Sequence, residues 1–148
     1  MSNAVTIVGN LTKDPELRFS NGNGVATANF SVAVNKSKKD ASGAWVNEPH
    51  YFDCVTFQEQ AENFAASFVK GNRVMVIGKL QQRTWEDKET GAKRSKVEIV
   101  VDEVAASVRW ATVAVTRTER AEGGNSYAEA GNRRPAPAQD INYSDEPF

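Results

Sequence analysis

Lys79, Arg83 and Trp85 lie in the run Arg73-Val-Met-Val-Ile-Gly-Lys-Leu-Gln-Gln-Arg-Thr-Trp85, whose residues alternate in character. On a β-strand successive side chains take opposite faces, so these three project from one side with Gln81 among them. Val74, Val76 and Leu80 fall on the other side and are expected to point into a core. The chemistry open to such a side is non-covalent: cations attract anions, and a flat indole stacks on flat rings. Burying Trp85 would take Arg83 and Gln81 from water with it. Most tryptophans are nonetheless largely buried, so stacking and core packing both stand as readings of the pattern alone.

Other residues extend the set. Lys36, Lys38 and Lys39 form a cationic run, and Arg73, Lys93, Arg94 and Lys96 flank the same hairpin. A charge run is usually a solvated surface. Cations interleaved with aromatics on one face are, alternatively, what a sequence-tolerant site for single-stranded nucleic acid needs, because every base has a π face and every linkage a charge. Tyr51, Asp53, Val55 and Phe57 share one side of a strand, and Phe52, Cys54 and Thr56 the other; the first side reads equally as subunit contact or core. Trp45 lies in a polar stretch, where packing on neighbours and ligand contact are both open. Trp110, in phase with Val108, reads as packing. Cys54 reads as a small buried hydrophobe and His50 as an ordinary surface residue.

Formal net charge is −1, so no overall field announces a polyanionic partner. Residues 1–112 hold 14 Lys and Arg against 13 Asp and Glu, and the remainder 4 against 6; any basic surface must come from local grouping. No P-loop glycine pattern, His-Glu-x-x-His or nucleophile elbow is present, which gives an enzyme no footing. One His and one Cys supply neither an ordinary protein-only zinc site nor an intramolecular disulfide, and no cofactor is expected. No apolar run is long enough to span a bilayer, and the amino terminus does not read as a signal peptide, so a cytoplasmic protein is expected.

The elements that would position these residues follow in order. Val5 to Leu11 is a short β-rich run, broken at Asp14-Pro15. Asn21-Gly-Asn-Gly24 is a hairpin signal, followed by alternating Ala26, Ala28, Phe30, Val32 and Val34. Residues 35–50 read as a long polar loop. Tyr51 to Phe57 is a strand, and Gln58 to Lys70 a helix with Ala61, Phe64, Ala65 and Phe68 on one stripe and Gly71 as its cap. The hairpin returns through Arg94 to Val101, and Ser107 to Thr116 alternates as a further strand. From Arg117 large aliphatics are almost absent, so 117–148 is expected to be a disordered linker behind a domain spanning 1–116. Short strands with one helix after the third main strand fit an all-β OB-fold, a five-stranded Greek-key barrel plugged by that helix.

Several motifs now carry a family resemblance. Val8-Gly-Asn-Leu11, Asp14-Pro-Glu-Leu-Arg-Phe19, Ala28-Asn-Phe30, Gly78-Lys-Leu80 with Trp85, Val101-Asp-Glu-Val104 and Ser107-Val-Arg-Trp-Ala111 appear in order. In these the chain resembles the bacterial single-stranded DNA-binding proteins, in their actinobacterial branch. The resemblance implies a homotetramer of OB-folds with single-stranded DNA laid over aromatic and basic surfaces. It implies stacking by Trp85, Tyr51 and Phe57, with Tyr51 standing where many members have Trp. A stacking Trp usual just after Val34 is replaced by Lys-Ser-Lys-Lys39, and Phe52 stands where a His is common. The Ser107 to Thr116 strand resembles one that clamps subunits together. Asp145, Glu146, Pro147 and Phe148 resemble the acidic tip that docks replication and repair proteins, here with only two acids beside the Pro-Phe end. The remaining alternative is a β-barrel that binds protein through its edge or face.

Overall fold

The computed structural model describes residues 3–119. Its elements are β1 (Ala4–Leu11), β2 (Glu16–Phe19), β3 (Ala26–Lys39), β4 (Trp45–Phe57), α1 (Gln58–Ser67), β5 (Arg73–Glu86) and β6 (Lys93–Ala106). The alternation in β3 does what it promises: Ala26, Ala28, Phe30 and Val32 are buried while Thr27, Asn29 and Ser31 are not. Val74 and Val76 from β5, Ile99 and Val101 from β6, and Cys54 from β4 complete the core.

The strands run in the order β1-β5-β6-β4-β3, and β1 also pairs with β3, which closes a five-stranded ring. β2 adds to the outside of β3, a short strand not foreseen in the sequence. All pairings are antiparallel except β4 with β6, where Cys54 meets Ile99 and Val55 meets Val100. The expected all-β barrel with one helix is therefore the fold, and its architecture is that of an OB-fold. Closure needs two glycines. A Cβ on Gly9 would collide with the Ala33 carbonyl oxygen, and one on Gly78 with that of Val100. The strands cross too closely at these points for any side chain.

The helix inserts Phe64 against Phe30, ring centroids 4.3 Å apart, with Phe68 4.9 Å beyond. It stops at Ser67, earlier than the expected Lys70, because Phe68 turns extended at φ −120° and packs on the core. The next two backbone N–H groups donate to side chains instead of continuing the helix, Val69 to Asn72 Oδ1 (2.9 Å) and Lys70 to Asp14 Oδ1 (2.8 Å). Gly71, at φ 88°, is thus the turn into β5 and not the helix cap.

Three further expectations need correction. Residues 35–50 are not a loop: β3 and β4 stay paired from Thr27–Phe57 out to Lys39–Trp45, a two-stranded arm whose turn is only 40–44. Asp40 holds that turn, its carboxylate accepting from Ser42 N–H (2.8 Å), Ser42 Oγ (2.6 Å) and Ala44 N–H (3.0 Å). The Ser42 hydroxyl and these amides keep the Asp40 pKa below the ordinary carboxylate range. Leu80 is not core but 44% exposed, because past Gly78 the β5–β6 pair leaves the barrel as a second arm and its inner side meets solvent. Finally, residues 107–116 form no strand. Ser107 N–H donates to Arg73 O (3.0 Å) at the end of the β5–β6 ladder, where β5 begins, so the segment that follows has run past its partner strand. The compact unit ends at Ala114.

Candidate nucleic-acid interface

Strand register assembles the surface. Directly opposed residues in a pair point the same way. Trp85 lies opposite Arg94, Arg83 opposite Lys96, Gln81 opposite Glu98 and Lys79 opposite Val100. Val100 is in turn level with Val55, which carries the same parity as Tyr51, Asp53 and Phe57. The Lys96 ammonium reaches Asp53 at 2.8 Å, tying the two strands on that side. On the other arm Lys39 lies opposite Trp45, its ammonium 5.3 Å from the indole centroid.

One outer side of the barrel and its arms therefore carries Trp45, Tyr51, Phe57 and Trp85 with Lys39, Lys79, Arg83, Arg94 and Lys96. All four rings are exposed, Trp85 by 46%, which removes the core reading left open for it. Val55, between Tyr51 and Phe57, is buried by its neighbours on β3 and β6. Trp45 opens β4 and does not sit in a loop.

The other cations named in the sequence lie elsewhere. Lys36 and Lys38 alternate to the opposite side of their arm, where Lys38 binds Glu48 at 2.6 Å and holds that carboxyl below its ordinary range. Lys93 lies opposite Glu86, on the side away from Trp85. Arg73 stands at the far end of β5 with its guanidinium 4.6 Å from the Trp110 ring. Asp145, Glu146, Pro147 and Phe148, and residues 120–144 of the expected linker, lie outside the described residues.

Acids that sequence reasoning passed over share the face. Arg83 meets Glu98 at 3.7 Å, Arg94 meets Asp87 at 2.8 Å, and Lys79 meets Asp102 at 3.4 Å. The surface is thus nearly self-neutralised and offers contacts, not a strong field. Exposed pairs of this kind are worth roughly 0–1 kcal/mol, so a phosphate can replace the carboxylate at little cost. Glu98 is the exception at 8% exposed, since burial makes the loss of its partner more costly. Only register could have revealed these partners; no local motif announces them. Cys54 is no nucleophile, because burial pushes its thiol up to about 12.

A sequence model of the single-strand binding protein family matches residues 2–107. The chain belongs to that family. It is 44% identical over 147 residues to a single-stranded DNA-binding protein of Mycobacterium tuberculosis (strain ATCC 25618 / H37Rv), covering 97% of this chain and 85% of that one. A single-stranded DNA-binding protein of Mycolicibacterium smegmatis is 47% identical over 118 residues, 78% of this chain and 70% of its own. One from Paenarthrobacter aurescens is 43% identical over 130 residues, 86% and 72% of the two chains. These relatives are actinobacterial, as the resemblance in the sequence implied.

Proposed function

We propose that this protein binds single-stranded DNA without regard to sequence and protects it during replication, recombination and repair. The observation that carries this reading is the shared side of Trp45, Tyr51, Phe57 and Trp85 with five cations, spread over the barrel and the two arms that reach past it. Bases stack on the rings while Lys39, Lys79, Arg83, Arg94 and Lys96 exchange their intramolecular partners for phosphates. Membership of the family and the names of its relatives, single-stranded DNA-binding proteins, support the same ligand. Among the described residues no helix is long and apolar enough to cross a membrane, and the proposed site of action is the cytoplasmic nucleoid.

The working unit is a homotetramer. Met75 and Ile77 are exposed on the outer side of β5, level with Val8 and Thr6 of β1, and form an apolar strip that a second copy would cover. Titration with oligo-dT, together with a mass measurement of the free protein, tests both claims. Tryptophan fluorescence is expected to fall on binding, with log K against log salt sloping about −0.7 per phosphate neutralised. No quenching and no salt dependence would leave a protein-binding barrel as the better account, and a monomeric mass would remove the tetramer.

Partner proteins are recruited by Asp145, Glu146, Pro147 and Phe148, two acids before a proline and an aromatic. A lone aromatic behind acidic residues suits an apolar pocket rimmed by bases. Deleting Asp145 to Phe148 is expected to leave oligo-dT affinity unchanged within about threefold, roughly 0.6 kcal/mol. The same deletion should abolish pull-down of replication and repair proteins. Retained pull-down would sink the docking role.

A further inference from the structure

Trp110 was expected to pack, yet it is 73% exposed. Two guanidiniums lie over its ring, Arg73 at 4.6 Å and Arg109 at 5.0 Å from the centroid. Among the described residues neither arginine forms an ion pair, in contrast to Lys79, Arg83, Arg94 and Lys96 on the arm face. The Arg73 Nε is buried without a hydrogen-bond partner among those residues. Two like charges drawn to one indole are eased only in part by its π cloud. Among the described residues they have no anion.

We propose that Arg73, Arg109 and Trp110 form a second contact for single-stranded nucleic acid, one ring for a base and two guanidiniums for flanking phosphates. This rests on the single-strand reading above and adds to it a place on the barrel remote from the arms. Arg73 and Trp85 stand at opposite ends of the 14-residue β5, roughly 40 Å apart along the strand. A short oligonucleotide therefore engages one site or the other, and a long strand engages both. An apolar protein partner fits the place poorly, because it would bury two unpaired guanidiniums. A small anion would answer the charges but leave the ring unused.

The chain has three tryptophans, so the W45F/W85F variant reports on Trp110 alone. Titrated with poly-dT beside the wild-type protein, its emission is expected to fall. In the R109A variant, poly-dT binding is expected to lose about 0.7 from the slope of log K against log salt, one phosphate contact. Arg109 lies outside every strand and is exposed, so R109A leaves the barrel intact. Quenching in wild type with a silent Trp110 and an unchanged R109A slope overturns this inference and leaves the proposed function standing. Trp110 emission that is already blue-shifted without DNA and indifferent to poly-dT assigns the ring to a contact between copies, and overturns the inference equally. Loss of binding in wild type itself would overturn both readings.

Discussion

Replacing Trp85 with alanine should weaken oligo-dT binding by about 1–3 kcal/mol while leaving the protein folded. That is the range for one base stacked on an aromatic in single-strand binding proteins as a class, this family included, and corresponds to roughly a fivefold to hundredfold loss. The ring is half exposed near the tip of the β5–β6 arm, beyond the last buried residue of β5. Its removal opens no cavity in the barrel, so the unfolding free energy should move by no more than about 0.5 kcal/mol. Trp85→Phe keeps a π face and should recover most of the affinity, which separates stacking from a change in arm geometry. The measurements are affinity by fluorescence anisotropy with labelled oligo-dT, and stability by urea denaturation followed by circular dichroism. A Trp85→Ala protein that binds as wild type does would remove the ring from the interface; one that unfolds would return it to the core.

The aromatic and basic alternation of β5 was legible because its core partners Val74 and Val76 sit two apart beneath a packed barrel. Leu80 keeps the same phase and was misjudged for a physical reason. Period-two patterning says which side a residue faces, but not whether anything lies under that side. The polar stretch 35–50 failed in the opposite sense. Both faces of a two-stranded arm are solvated, so its ladder of backbone hydrogen bonds leaves no apolar alternation to detect. Residues 107–116 alternate well but continue β6 past Arg73, where its partner β5 begins, and a strand needs a partner as much as a pattern. The site was half visible. Trp85, Arg83 and Lys79 share one strand, whereas Glu98, Asp53 and Asp87 reach their cations only through register or the hairpin turn. Lys36, Lys38 and Lys39 look alike in the chain, and only the arm's pairing divides them between two sides.

The larger stability effect is expected at Gly78. The β5–β6 register shifts between Ile77 and Gly78, leaving Asp102 as the extra residue on β6, and here the pair turns out of the barrel into the arm. A Cβ at this position meets the Val100 carbonyl oxygen, with Ile99 Cγ2 only 3.0 Å away. The oxygen belongs to a strand fixed on both edges, so the clash cannot be relieved by a rotamer change. Overpacking against mobile side chains costs about 1–3 kcal/mol; against a locked backbone Gly78→Ala should reach or exceed the top of that range. A loss of that size lowers the melting temperature by roughly 10 °C. Gly22→Ala is the control, since nothing lies within 4 Å of a Cβ there and its φ is not in the left-handed region. Thermal unfolding of the two variants beside wild type decides the matter. Because the arm bearing Trp85 emerges from the Gly78 crossing, Gly78→Ala should also weaken oligo-dT binding at temperatures where the barrel is still folded. If Gly78→Ala melts with Gly22→Ala, the strands do not cross as closely there as the fold requires, and the arm is not held by that contact.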